Sequence, residues 1–165
     1  MGYPEPATRT LKLDRTPRPL PIAGLALALA GFLALSHALS RVISATGMRE
    51  QSAIARIEGL LADASGGALL AAVLALALAP ALGEEIFFRG LVLGRLSERW
   101  GPAAGLVGSS LLFAGLHPDW AQAAPAAVLG LCLGALTLRT GSVYAAILCH
   151  GTNNLAVIYA ASSPT

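Results

Sequence analysis

Residues 67–82, GALLAAVLALALAPAL, carry no charge and no strong hydrogen-bonding side chain. Such a segment dissolves in lipid, and lipid offers a backbone no hydrogen-bond partners, so the stretch has to satisfy its own N–H and C=O groups as a helix. The rest of the chain is of the same kind. It is 55% hydrophobic and only 12% charged, with a mean hydropathy of +0.67, where a soluble domain carries about a quarter charged residues. The sequence predicts an all-α integral membrane bundle, and its 165 residues leave room for one domain. A net charge of +2, with no basic patch alternating with aromatics, argues against nucleic acid as a partner. Cys132 and Cys149 both lie inside apolar runs, which argues against a disulfide framework.

Apolar runs and their breakers predict about five transmembrane helices. The first covers residues 20–43 as an N-terminal membrane anchor, from Leu20 to Ile43. The second starts near Gly67 and continues as helix past GEEIFFRG to Glu98. The third runs from Pro102, a good first helical residue, to His117, where Pro118 stops it. The fourth covers Ala123–Leu138 and the fifth Ser142–Ala161, so that residues 67–162 form the core. Residues 1–19, with five prolines or glycines among mixed charges, read as a flexible cytoplasmic tail. Residues 44–66 place Met48, Ile54, Ile57, Leu60 and Leu61 among charges and read as an amphipathic, interfacial connector.

Charge asymmetry orients the bundle. Arg9, Lys12, Arg15 and Arg18 precede the first span, Arg95 and Arg99 follow the second, and Arg139 follows the fourth. The segment after the third span holds only Asp119, and the tail after the fifth holds no charge. The positive-inside rule then predicts a multi-pass protein of the cell (inner or plasma) membrane with a cytoplasmic N-terminus and an outside C-terminus. Trp100 and Trp120 fall at opposite interfaces in this scheme. The basic lead, apolar stretch and SHA at 36–38 also fit a signal peptide, but the apolar run is long for one, which favours an uncleaved anchor.

Polar groups inside such a bundle are costly and point to function. On an α-helix turning about 100° per residue, Glu85 and Arg89 lie about 40° apart and can pair, while Glu84 lies about 140° from Arg89. Glu85 is then the neutralised partner, and Glu84 is left to face the bundle interior. The bland alternative is two interfacial glutamates and a snorkelling arginine. His117 ends the third span with Phe113 one turn before it; His150 and Asn154 share a face of the fifth span, and Asn153 is rotated off to another side. His37 in the first span reads as a packing residue. Counted from the cytoplasmic ends at about 1.5 Å per residue, Glu84, His117 and Asn154 all lie roughly 20 Å deep, with His150 one turn shallower. Independent snorkelling residues would gather at the interfaces, so the coincidence of depth favours one shared site.

A carboxylate, two histidines and an asparagine in a low-dielectric pocket suit hydrolysis. Desolvation makes a carboxylate a stronger proton acceptor, hence a useful general base. The expected scheme has Glu84, assisted by His117, activating a water that attacks a peptide carbonyl, with His150 and Asn154 stabilising the oxyanion. A cysteine nucleophile is the weaker alternative, since Cys149 is about 100° from His150 and Cys132 has no histidine or acid close in sequence. A metal site is the other: one carboxylate and two histidines are ligands zinc accepts, though no H-E-x-x-H pair calls for it. No cofactor is required by the spacing, and zinc stays open.

E-E-x-x-x-R at Glu84–Arg89, F-x-x-x-H at Phe113–His117 and H-x-x-x-N at His150–Asn154 occur in order on successive spans. That set resembles the CPBP family of CAAX proteases and bacteriocin-processing enzymes, which includes the type II CAAX prenyl endopeptidases. The resemblance covers residues 68–158, four of the five spans, and implies a four-helix catalytic core in an intramembrane peptidase. It places Glu84, His117, His150 and Asn154 on the family's catalytic positions. It implies a membrane-associated protein or peptide as substrate, with a bacterial sorting tag or peptide precursor favoured over a prenylated CAAX tail. A non-enzymatic bacteriocin-immunity or scaffold protein of the same fold is the alternative.

Overall fold

Each apolar run is a helix in the structure. The computed structural model describes residues 20–50, 52–117 and 119–162, and of Ile54 only the backbone. The expected tail at 1–19, the stop at Pro118 and the side chain of Ile54 lie outside what is described. Among the described residues are six helices and no strand: α1 (Ile22–Ala45), α2 (Ala53–Leu61), α3 (Gly66–Trp100), α4 (Pro102–Ala114), α5 (Trp120–Thr140) and α6 (Tyr144–Ser162). The chain is an all-α membrane bundle. Of its helices α1, α3 and α5 are long and apolar enough to cross a membrane. α6 has 19 residues, but His150, Thr152, Asn153 and Asn154 dilute its apolar character.

The third expected span is shorter than the sequence suggested. α4 has 13 residues, which is about 20 Å of helix against a hydrocarbon core of about 30 Å. It ends at Ala114 rather than at His117. Beyond it the backbone tightens, with Leu116 N–H donating to Phe113 O and His117 N–H to Ala114 O. The proline that follows His117 in sequence disfavours helical geometry at the residue before it, so His117 sits on a turn. At the other end of α4, Gly101 has φ 84° and Pro102 opens the helix, which is how the chain reverses sharply after α3. α5 is longer than expected because Asp119 caps it at Trp120.

Small residues let the helices close on one another. A Cβ on Gly105 would stand 2.7 Å from the backbone nitrogen of Ser97, so α4 and the end of α3 touch along their backbones. Three apolar clusters fix the rest. Phe88 of α3, Phe113 and Ala114 of α4 and Ala126 of α5 form the first. Phe32 of α1 packs with Leu133, Ala146 and Cys149, seating α1 on α5 and α6. Leu61 packs with Ala77 and Ile158, seating the end of α2 on α3 and α6. His37 is exposed on α1 rather than packed.

The amphipathic connector therefore does more than lie at an interface. Ser52 Oγ accepts from Ala55 N–H to start α2, and Ala53 N–H donates to Asp119 Oδ2 at 2.9 Å. Asp119 Oδ1 meanwhile accepts from Gln122 N–H at 3.1 Å. One carboxylate thus caps two helices. The Ala53 N–H chiefly, with Gln122 adding and partial burial opposing, holds the Asp119 carboxyl below the usual aspartate range. A depressed folded-state value means the contribution is present at neutral pH and is lost only as pH falls below about 4. Asp119→Ala is expected to release α2 at neutral pH at a cost of about 1 kcal/mol for a lost cap. Hydrogen exchange across residues 53–61 measures it; unchanged protection would show that the apolar seat of Leu61 alone holds the helix.

Candidate active site

α3 reaches the site by running unbroken through Pro80. A proline inside a helix removes one N–H and crowds the carbonyl a turn earlier. The chain absorbs this with wide i→i+5 turns over Val73–Leu78, where Ala79 N–H reaches back to Leu74 O. A second wide segment spans Glu85–Val92 and closes with Leu93 N–H on Phe88 O. Wide turns of this kind concentrate at functional sites. Here they change the rotation between neighbouring residues from the uniform value assumed for the sequence. The side chains of Glu84 and Glu85, adjacent in the chain, are 32% and 0% exposed.

Glu85 is the centre of a buried charge network. Its Oε1 lies 3.1 Å from Arg89 Nη1, the pair expected from spacing, with both side chains wholly enclosed. The same oxygen lies 2.8 Å from His150 Nδ1. A carboxylate oxygen can only accept, so Nδ1 carries the hydrogen and His150 presents Nε2 on its far side. That Nε2 stands 3.9 Å from Glu84 Oε2, too far for a direct hydrogen bond and right for a bridging atom between them. Arg89 Nη2 donates to Gly130 O at 3.2 Å, and its guanidinium lies 4.3 Å from the centre of the Phe113 ring. A Cβ on Gly130 would stand 3.2 Å from Arg89 Nη2 and 3.3 Å from Phe113, so the glycine lets cation and ring reach α5. Phe113 also meets the rings of His117 and His150 edge-on, at 5.2 and 6.0 Å.

His117 is tied in the same way. Its Nδ1 lies 3.1 Å from Phe113 O, which can only accept, so Nε2 is the nitrogen left for a ligand. Two cavity lobes of about 210 and 280 Å³ share His117, Gln122, His150, Asn154 and Val157 as their common wall. Glu84 opens into the larger lobe. All four residues singled out from sequence therefore face one cleft. Asn153, expected to turn away, lines the smaller lobe beside Asn154.

Other lining residues were not singled out. The smaller lobe adds Ser36, Ser40 and Arg49, the larger adds Ile57, Glu58 and Leu61, and Gln122 borders both. For Arg49, Ile57, Glu58 and Leu61 the amphipathic pattern at 44–66 was the only sequence signal, and it reports a two-faced helix without saying what the polar face meets.

A family model described as type II CAAX prenyl endopeptidase Rce1-like matches residues 66–156. The chain belongs to this family. No curated protein and no solved structure matches it. Membership places the chain among CAAX-type intramembrane proteases. The residues that match the Rce1-like model begin at α3 and end within α6, so they take in Glu84, His117, His150 and Asn154. The cavity wall supplied by α1, Arg49 and α2 lies before them. As to metal, the free Nε2 atoms of His117 and His150 and the Glu84 carboxylate are ligand types that zinc accepts. Among the described residues, however, no group of three histidine, cysteine or acidic side chains stands together closely enough to hold a metal ion.

Proposed function

We propose that the protein is an intramembrane endopeptidase in which Glu84 is the general base. The observation that carries this is the different setting of two adjacent glutamates around His150: Glu85 sealed at 0% exposure against Nδ1, Glu84 at 32% exposure beside Nε2. Glu84 takes a proton from a water whose second contact is His117 Nε2. The resulting hydroxide adds to a peptide carbonyl carbon. The oxyanion is met by His150 Nε2–H and by the Asn154 amide, donors held in place before the reaction begins. With both ring nitrogens protonated, the His150 imidazolium and the Arg89 guanidinium face Glu85 together, and Glu84, then the oxyanion, supplies the second negative charge. Collapse of the intermediate breaks the C–N bond, and Glu84 returns its proton to the leaving nitrogen.

The substrate in this reading is a membrane-associated peptide segment, a bacterial sorting tag or peptide precursor rather than a prenylated CAAX tail. The apolar walls of the larger lobe, Leu61, Leu76, Pro80 and Ile158, support a hydrophobic segment beside the scissile bond. The test is reconstitution in liposomes with a set of hydrophobic C-terminal segments and mass spectrometry of the products. A single internal cut is expected, unaffected by a chelator in protein shown metal-free by elemental analysis. Stoichiometric zinc whose removal stops cleavage would replace the metal-free scheme. Binding of segments without any cut would favour the immunity or scaffold alternative. We also assign the N-terminus to the cytoplasm and the protein to the cell membrane, from the basic residues at 9–18, 95–99 and 139. A reporter fused after Thr165 is expected to signal from outside; a cytoplasmic signal would reverse the orientation.

A further inference from the structure

The two lobes of the cleft have opposite polarity. Among the described residues lining the smaller lobe, Arg49 is the permanent cation, whereas the larger lobe carries the carboxylates of Glu58 and Glu84. The two lobes meet at His117, His150 and Asn154, where the chemistry is proposed to occur. Arg49 is held in place by two polar contacts. Its Nη1 donates to Ser40 Oγ at 2.8 Å, which aims the guanidinium from the loop after α1 toward α2. Its Nη2 pairs with Glu58, and the two side chains remain 27% and 29% exposed. A half-exposed ion pair of this kind holds together weakly, because solvent screens it. A second carboxylate arriving through the cleft can take the place of Glu58 at little cost.

We propose that Arg49 is the receptor for a carboxylate carried by the substrate, which displaces Glu58 and fixes the direction in which the peptide lies across the cleft. The proposal rests on the peptidase reading and adds a substrate class to it. Planar guanidinium and planar carboxylate match in a fork that fixes orientation as well as position. An anionic group entering the larger lobe instead would face Glu58 and Glu84, and like charges would expel it. The acidic part of the substrate therefore lies toward Arg49, its carbonyl at the shared wall, and its apolar part against Leu76, Pro80 and Ile158. Arg49 and Glu58 both precede the residues matched by the family model. The selectivity belongs to the part of the chain outside the shared core.

Two sources supply such a carboxylate, an acidic side chain or the free end of the substrate chain. The experiment uses fluorescent hydrophobic peptides carrying one Glu or Gln at scanned positions, each made as the free acid and as the C-terminal amide. Binding is read by anisotropy in detergent and cleavage by product analysis, for wild type, R49Q, R49K and E58Q. A charge-assisted pairing predicts that wild type binds the preferred carboxylate peptides about 10–100-fold more tightly than their neutral counterparts. R49Q is expected to erase that preference while still binding neutral peptides, and R49K to restore part of it. E58Q, by removing the competitor, is expected to strengthen it. That opposite response separates recognition from structure, since a purely structural pair suffers alike when either member is changed. Preference for Glu over Gln at either terminus assigns the side chain, and acid over amide with either residue assigns the chain end. Equal binding of charged and neutral peptides by wild type, a preference that R49Q leaves intact, or equal weakening by R49Q and E58Q would overturn the proposal. Cleavage without discrimination leaves the peptidase reading standing and removes this one. Discrimination in binding without cleavage does the reverse.

Discussion

Glu84→Gln is expected to bring cleavage down to background while the protein accumulates in the membrane and melts as the wild type does. The two halves of that result have separate causes. Glu84 is 32% exposed toward the cleft, and His150 Nε2 stands 3.9 Å away. Replacing one carboxylate oxygen by an amide nitrogen therefore breaks no short buried contact and leaves no charge stranded. The amide cannot take a proton from water, however, and a positioned general base is typically worth about 10²–10⁴ in rate. Activity and abundance have to be measured on the same membranes, because a fall in both would mean that Glu84 is structural. Wild-type cleavage by Glu84→Gln would remove the proposed mechanism. His117→Ala should act in the same direction, since its Nε2 is the second contact of the attacking water in this scheme.

The helices, and the residues that gather at the cleft, were legible because lipid imposes strong rules on sequence. Uncharged runs have to be helices, and polar groups inside them have to find one another. Glu85 and Arg89 were legible as a pair from their spacing alone. What the spacing could not give was the third residue of that network. His150 is 65 positions from Glu85, and which of two adjacent glutamates it meets depends on their rotation about α3. That rotation is set by the wide turns, and hydrogen-bond register leaves no trace in hydropathy. Pro80 was the visible hint, because a proline within a long helix has to be absorbed somewhere. The end of α4 was misjudged for a similar reason: Phe113 and His117 are four apart on either reading, but the helix stops at Ala114. The wall made by Ser40, Arg49 and Glu58 stayed hidden because those residues meet the core only once α1 and α2 have docked on it. Among the described residues, α2 is docked by the Ala53–Asp119 hydrogen bond, the packing of Leu61 and the pairing of Glu58 with Arg49.

Glu85→Gln and Arg89→Gln, in contrast, are each expected to lower abundance and thermal stability sharply, and to do so non-additively. Both side chains are fully enclosed, and the network has little slack. Among the described residues Glu85 Oε2 and Arg89 Nε have no hydrogen-bond partner, and Arg89 Nη1 lies 3.1 Å from Glu85 Oε1 without the alignment of a hydrogen bond. Removing Glu85 strands the Arg89 cation, and removing Arg89 leaves the Glu85 carboxylate with only His150 Nδ1–H against it; breaking a buried pair costs about 3–5 kcal/mol. That is a large share of a typical folding free energy of about 5–15 kcal/mol. Removing both leaves neither member of the pair stranded. Glu85→Leu with Arg89→Met should therefore be more abundant and melt higher than either single variant, since well-packed apolar replacements of a buried pair are often neutral or stabilising. The same double variant should still fail to cleave. His150 Nδ1 would have no acceptor, so nothing would hold the ring with Nε2 toward Glu84 or balance an imidazolium. Membrane abundance, thermal stability in detergent and cleavage, measured across the four proteins of the cycle, separate these effects. If the single losses simply add in the double variant, the charge pair is not what stabilises this part of the bundle. If the double variant cleaves, His150 does not depend on Glu85 for its orientation.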